Sequence, residues 1–262
     1  ALRSVEVMRF ASLGSGSQGN ALIVDAGETK VMVDCGFSTR MATARLARLG
    51  AAPDELAAVL VTHEHGDHVG GVFAFARRHR LPVYLTHGTH AVASRGVAAL
   101  PDCRLIDGHT PFAIGKLEVT PFPVPHDARE PVQYAFADGQ HRLGVLTDTG
   151  SITPHIVDVL RACDALVLEC NHDHALLAAS RYPAALKQRI GGRFGHLENG
   201  QAAMLLRQVD TARLQHLVAA HLSHENNRPD LAARALASAL GCRDEWIGVA
   251  DQEGGFGWRQ LR

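Results

Sequence analysis

The sequence predicts an α/β protein in which two β-sheets pack face to face with helices on their outer sides. Short strand-like runs cluster toward both ends of the chain, and each cluster is broken by segments of helical periodicity. A third observation marks where chemistry would sit. The β-branched run Val59-Leu60-Val61 reads as a buried strand, and it leads through Thr62 into His63-Glu64-His65-Gly66-Asp67-His68, which places four potential metal ligands at one strand end.

Taken in order, Ala1 to Val7 reads as a loose leader ahead of a natural start at Met8, and residues 8–262 as a single domain. Met8 to Leu13 is a short strand. The turn-forming run Gly14-Ser15-Gly16-Ser17-Gln18-Gly19-Asn20 follows, either a flexible connector or a source of backbone N–H groups for an anion. Ala21 to Asp25 and Thr29 to Asp34 pair as a hairpin. Ser38 to Leu49 has helical periodicity, a serine to cap it and Gly50 to stop it. Ala58 to Val61 delivers the histidine motif, and Gly70 to Arg80 is expected to be a helix that begins just after the ligands. Val83 to Leu85 is a strand, Gly88 to Ser94 a helix, and Leu100 to Val124 a second run of short strands. In Pro121-Phe122-Pro123-Val124-Pro125-His126-Asp127 the prolines keep the chain extended and so fix where His126 points. Val132 to Ala137 and His141 to Leu146 form a hairpin that runs into Thr147-Asp148-Thr149-Gly150. Pro154 to Ala162 is a helix, and Ala165 to Glu169 is a buried strand ending in Cys170-Asn171-His172-Asp173-His174. A helix carries Gln201 to Val209, and the strand Gln215 to Ala219 ends near His221-Leu222-Ser223-His224. A helix to Leu240 and a last strand, Trp246 to Ala250, close the fold.

Bulk composition narrows the class. Hydrophobic content of 46% with 20% charged residues is that of an ordinary globular protein, and no apolar run reaches membrane-spanning length. The five cysteines are scattered and never form C-x-x-C, which argues against a disulfide framework or zinc ribbon and for a reducing, cytoplasmic setting. With 26 basic and 27 acidic residues there is no global attraction for polyanions. The 16 histidines are the composition's one pointer to metal chemistry.

The motif's spacing has a physical reading. Residues two apart on extended backbone point the same way, so His63 and His65 can converge on one cation, and a turn at Gly66 sends Asp67 and His68 toward a second. Thr62-His63-Glu64-His65-Gly66-Asp67-His68 resembles the signature of the metallo-β-lactamase superfamily of metallohydrolases. That resemblance implies a four-layer αββα sandwich with its site at one edge. It further implies two divalent metals, zinc or manganese with iron admissible. His63, His65 and His126 would hold one, Asp67, His68 and His221 the other, and Asp148 would bridge them. His224 is the nearest rival to His221, and His172 the nearest further ligand. Asp34 sits where the superfamily places a carboxylate that orients a ligand by hydrogen bonding. The superfamily's di-iron, oxygen-reducing branch carries Glu at position 65; His65 favours hydrolysis. His79, His87, His90, His109, His141, His155 and His216 read as surface or packed histidines.

Two further resemblances narrow the substrate. Leu166 to Asn171 followed by Gly195-His196-Leu197-Glu198-Asn199-Gly200-Gln201-Ala202-Ala203 is similar to the paired motifs of tRNA 3′-processing nucleases. There a Glu and a downstream His cooperate in protonating the leaving oxygen, which makes His196 the candidate acid and Glu169 its tuning partner. Departing alkoxides need such a proton. Ser15 to Asn20, His63 to His68, Pro125 to Asp127, Glu169 to Asp173, Lys187-Gln188-Arg189, Gly195 to Leu197 and Ala220 to Asn227 fall in the order of the YycJ-like (WalJ/VicX) group, whose members are DNA 5′-to-3′ exonucleases. Glu198 departs from the pattern, where a small hydroxyl residue is expected as helix cap. Arg181, Lys187, Arg189 and Arg193 form a run with no acidic residue just before His196, which Arg77, Arg78 and Arg80 could extend; such a run is either a patch for a phosphate backbone or a solvated helix face.

Between Gly150 and His221 there is no room for the inserted domain of ribonucleases that process messenger RNA, nor a long arm for gripping tRNA. The expectation is therefore a compact DNA exonuclease in which a metal-bridging hydroxide attacks phosphorus, Asp67 orients it and His196 protonates the leaving oxygen. A small-molecule phosphodiesterase or thioesterase of the same fold is the alternative.

Overall fold

The computed structural model describes residues 7–262; except for Val7, the expected leader lies outside them. Strands β1 (Arg9–Gly14), β2 (Ala21–Ala26), β3 (Thr29–Val33), β4 (Ala58–Leu60), β5 (Val83–Thr86) and β6 (Cys103–Ile106) build one sheet. The chain then crosses to a second sheet made of β7 (Phe112–Ile114), β8 (Leu117–Pro123), β9 (Val132–Ala137), β10 (Arg142–Leu146), β11 (Ala165–Glu169), β12 (His216–Ala220) and β13 (Gly248–Val249). Finally β14 (Phe256–Gln260) returns to the first sheet, antiparallel to β1. The orders are β14-β1-β2-β3-β4-β5-β6 and β13-β12-β11-β10-β9-β8-β7.

Alternation along the strands sorts residues into three apolar layers. Val167 of β11 and Leu60 of β4 face inward, between the sheets, with Val33, Tyr134 and Val145. Leu166 and Leu168 point outward, under the helices 154–159, 199–206 and 229–240, while Val59 points outward with Ile23 and Val83 under the helices 39–48 and 72–79. The covering helices on the first sheet are α1 (Thr39–Arg48), α2 (Gly66–Val69), α3 (Val72–His79) and α4 (His87–Ala93). Those of the second half are α5 (Pro154–Val159), α6 (His174–Ala179), α7 (Ala184–Ile190), α8 (Asn199–Leu206) and α9 (Pro229–Leu240). The result is an αββα sandwich. Among the described residues, no helix is long and apolar enough to cross a membrane.

Strand direction decides where chemistry gathers. β3 to β6 are parallel, as are β10 to β13. β8 and β10 each pair antiparallel with β9, so they too run the same way. The C-terminal ends of β3, β4, β8, β10, β11 and β12 thus lead to Asp34, His63, His126, Asp148, Glu169 and His221. Loops at the C-terminal ends of parallel strands are the usual place for a site in such sheets. Val132 N–H donates to the Thr62 carbonyl at 3.0 Å and the Tyr134 hydroxyl to the Val61 carbonyl at 2.8 Å, locking the two sheets together beside the histidine motif. Tyr134→Phe leaves the buried Val61 carbonyl without that donor. Unfolding in urea should show a loss of about 1–3 kcal/mol, the usual cost of a buried polar group deprived of its partner.

Three expectations change. The helix expected from Gly70 to Arg80 is α3, but a separate turn of helix, α2, precedes it and contains Asp67 and His68. His65 caps that turn, accepting from His68 N and Val69 N through its carbonyl. The break falls at Gly71, where a Cβ would stand 1.7 Å from the Phe37 carbonyl oxygen. The second change is that Trp246 to Ala250 contributes only the two residues of β13, and the closing strand is β14. Third, the amides of Ser15, Gly16, Gln18, Gly19 and Asn20 are spent on Asp251, Asn20, Gln252, Gly16 and Asp67, so the turn-forming run is a buttress and no cradle for an anion.

Candidate metal centre

Three imidazoles converge first. His63 Nε2 lies 3.0 Å from His65 Nδ1, and His126 Nε2 lies 3.3 Å from the same atom. Asp67, His68 and His221 form a second group, and Asp148 stands between the two: its Oδ2 is 3.1 Å from His68 Nε2 and its Oδ1 3.9 Å from His126 Nε2. Asp67 Oδ2 is 3.5 Å from His68 Nε2 and 3.3 Å from His221 Nε2. All seven residues expected as ligands from the sequence are thus brought together at one edge of the sandwich.

The surroundings fix which ring nitrogens face inward. Asp34 accepts from Thr62 N at 2.8 Å, from Thr62 Oγ1 at 2.8 Å and from His68 Nδ1 at 2.8 Å. Because the Thr62 hydroxyl donates to Asp34, its oxygen is free to accept from His63 Nδ1 at 2.9 Å. The Gly195 carbonyl accepts from His126 Nδ1 at 2.9 Å. His63, His68 and His126 therefore each spend Nδ1 on an acceptor and turn Nε2 to the centre, the nitrogen a metal would take; on His68, which its carboxylates hold charged, the ion would displace the Nε2 proton. Asn20 Nδ2, 3.1 Å from His68 Nε2 and 3.3 Å from Asp67 Oδ2, adds a polar neighbour at the centre itself. Thr62, Asn20 and the Gly195 carbonyl carried no signal of their own in the sequence. Thr62 and Asn20 lay within quoted motifs, but a backbone carbonyl is invisible to any motif.

Two of the strand-end residues hold strained backbone. Asp34 and His221 have φ of 59° and 55°, the left-handed region that non-glycine residues rarely occupy. His221 N–H is held there by Ser15 Oγ at 2.8 Å.

Electrostatics favour a cation. Burial opposes charge on His68, yet Asp148 and Asp34 outweigh it and hold the ring well above its ordinary value. His221 behaves alike: burial is overcome by Asp148, Asp67 and Glu169, and its pKa is pushed up to about 9. For Asp67, burial is overcome by His221 and His68, which hold its carboxyl far below the usual carboxylate range. Burial, reinforced by neighbouring imidazoles, instead drives His63 well below its ordinary value. Asp148 Oδ2 is buried and makes no hydrogen bond, although His68 Nε2 stands 3.1 Å away. A buried carboxylate oxygen without a hydrogen bond, set among inward-turned imidazole nitrogens, fits a divalent ion, and mixed nitrogen and oxygen donors suit zinc, manganese or iron.

His196 and Glu169 sit against this cluster. His196 Nδ1 donates to Glu169 Oε1 at 2.8 Å and lies 3.3 Å from Asp148 Oδ1. Burial disfavours its charged form, but the Glu169 and Asp148 carboxylates push its pKa up to about 10. Glu169 is fully buried, and its Oε2 accepts from Thr149 N at 2.9 Å and Leu197 N at 3.1 Å. Glu198, the departure at the helix cap, leaves α8 to be closed by Gln201 Oε1, which accepts from Glu198 N at 3.0 Å; its own carboxylate pairs with His174. His224 is exposed beside Glu225, and His172 is buried outside the cluster, where burial pulls its pKa down to about 4.

A cleft of ≈ 370 Å³ opens over the cluster, lined by His65, Asp67, Asp127, Arg189, His196 and His221 among others. The basic run is only partly free to serve it. Arg189 Nε donates to Asp127 Oδ2 at 2.6 Å, which offsets its charge, and Lys187 reaches the Ala178 carbonyl at 2.6 Å on the wall of a neighbouring cleft. Arg193 lies beside Phe194 on the loop leading to His196. Arg77, Arg78 and Arg80 stand at the far end of α3, Arg77 bound to the Ala99 carbonyl, and none lines the cleft.

A sandwich of this topology with such a cluster at its edge defines a class, and sequence comparison agrees. The Beta-lactamase superfamily domain matches residues 29–221, and the chain belongs to the metallo-β-lactamase superfamily. Within it the chain falls in the YycJ-like group. It is 35% identical over 251 residues to Exodeoxyribonuclease YycJ of Bacillus anthracis, spanning 93% of this chain and 92% of that protein. It is 31% identical over 245 residues to Exodeoxyribonuclease WalJ of Streptococcus pneumoniae, spanning 92% and 91%. The metallo-β-lactamase fold protein YhfI from Bacillus subtilis superimposes with a TM-score of 0.73 at 18% identity, covering 97% of this chain and 99% of YhfI, and so shares its fold.

Proposed function

We propose that residues 8–262 form a metal-dependent phosphodiesterase acting on nucleic acid, and specifically a DNA 5′-to-3′ exonuclease. The observation that carries the reading is His196, gripped by buried Glu169 at 2.8 Å and placed in the wall of the cleft beside the metal-ligating cluster. Expulsion of an alkoxide from phosphorus needs a held proton donor, whereas the thiolate of a thioester departs without one. The names of the YycJ and WalJ relatives support the choice of DNA.

His63, His65 and His126 would hold one divalent ion and Asp67, His68 and His221 a second, with Asp148 shared. Such ions supply an activated water and stabilise charge developing on phosphorus. The protein's own parts do the rest. Asp34 and Thr62 hold the imidazoles in register, Asp67 presents a carboxylate oxygen to the cleft for orienting water, and His196 delivers the proton to the departing oxygen. The five cysteines are all free thiols, which supports a reducing, cytoplasmic setting.

The test uses metal-stripped protein reconstituted with manganese or zinc, on end-labelled single- and double-stranded DNA and RNA with bis-p-nitrophenyl phosphate alongside. Stepwise release of nucleotides from the 5′ end of DNA is the expected result. Cleavage of the small diester with every polymer untouched would replace this reading by a small-molecule phosphodiesterase. The same substrates, in a binding titration, check the basic loop. Arg193→Ala should weaken single-strand binding and flatten the slope of log K against log salt by about 0.7, the share of one neutralised phosphate. Arg189→Ala should change it less, because Asp127 already offsets that charge.

A further inference from the structure

Phe194 is an exposed aromatic ring on the loop whose next two residues, Gly195 and His196, line the cleft. It is one of nine phenylalanines, and the only one that is exposed, at 56%. It belongs to none of the three apolar layers. A lone exposed ring is ordinary on a protein surface; what singles this one out is its place beside the cleft.

Its loop is held firmly, so the exposure is not fraying. Gly195 N donates to the Gly192 carbonyl at 2.9 Å, His196 N to the Ile190 carbonyl at 2.8 Å, and Ser151 Oγ to the Arg193 carbonyl at 2.8 Å. A Cβ on Gly150 would lie 2.4 Å from Gly195 N, so the loop also rests directly on the segment that follows Asp148. The two residues after Phe194 line the cleft: Gly195, whose carbonyl orients His126, and His196. The Arg193 guanidinium sits 5.9 Å from the ring centroid, placing a cation beside an aromatic face.

We infer that Phe194 is a substrate-binding residue whose ring stacks on the nucleobase of a nucleotide adjacent to the scissile phosphate. Every base has a π-face, so such a platform grips single strands without reading sequence, and a neighbouring arginine adds backbone attraction. This inference rests on the nuclease reading above and adds a contact to the base, which metals and phosphate-binding groups do not make.

The experiment compares wild type, Phe194→Ala and Phe194→Trp on single-stranded oligodeoxynucleotides. One substrate carries every base; the others carry one abasic residue stepped through the first four positions from the cleaved end. Thermal unfolding checks that the variants fold. Phe194→Ala should raise KM on the complete strand about 5- to 30-fold, the lower part of the range for removing one base stack, with kcat changed less than about two-fold. Phe194→Trp should keep wild-type KM. At one abasic position wild type should fall to the level of Phe194→Ala, and the substitution should then cost nothing further. An unchanged KM for Phe194→Ala, or an equal loss on every abasic substrate, would overturn the inference while leaving the nuclease reading intact. Wild-type protein that cleaves no polymer would remove both.

Discussion

Asp148→Ala is expected to abolish stable metal binding and to lower phosphodiesterase activity on the order of a thousandfold or more. The carboxylate is buried at the meeting point of the two ligand groups, with His68 at 3.1 Å and His221 at 3.4 Å in one and His126 at 3.9 Å in the other. Removing one member of a buried charged set costs about 3–5 kcal/mol, because the partners stay behind without compensation. Here the partners include imidazoles of both groups, so neither ion would keep its full set of donors. Metal per chain measured by mass spectrometry should drop below one, and added manganese or zinc should no longer raise the unfolding temperature. A variant that retained wild-type metal content would show that Asp148 is no shared ligand.

His196→Ala should give the second largest loss, and of a different kind. Metal content should stay near wild type while kcat on DNA falls about 10²- to 10⁴-fold, the usual worth of a positioned proton donor. The discriminating measurement is the leaving group. Nitrophenolate departs without a proton, so hydrolysis of bis-p-nitrophenyl phosphate should be far less affected than cleavage of the polymer. Equal losses on both substrates would make His196 a structural or metal-binding group instead. Glu169→Gln should resemble a milder His196→Ala, since the amide can still accept from Thr149 N or Leu197 N but withdraws the charge facing the imidazole.

The parts of this molecule that could be read from sequence are those where one short segment holds the whole signal. β4 is fully buried, so it appears as an unbroken apolar run, and the histidine motif follows it directly. His126, Asp148 and His221 are single residues at the ends of separate strands; only their order along the chain, matched to a known family, singled them out. β14 was hidden because an edge strand need not be apolar, and glycines precede and interrupt Phe256-Gly257-Trp258. The basic run looked like free charge because Asp127, which meets Arg189, lies 62 residues away. Local pattern likewise could not reveal that the amides of residues 15–20 were already occupied, since Gln252 and Asp251 reach them from the other end of the chain.

That same closure by β14 has a consequence during synthesis. β1 is flanked by β2 on one side and by β14 on the other, and Ser15, just beyond β1, holds the backbone of His221. While the ribosome is still making the middle of the protein, β1 presents a bare hydrogen-bonding edge, the kind of surface on which nascent chains stick to one another. Only when Phe256–Gln260 emerges does this partly exposed strand replace the buried β1 at the edge of the first sheet, so loss of those few residues should be felt as poor yield and aggregation of newly made protein rather than as a defect in catalysis.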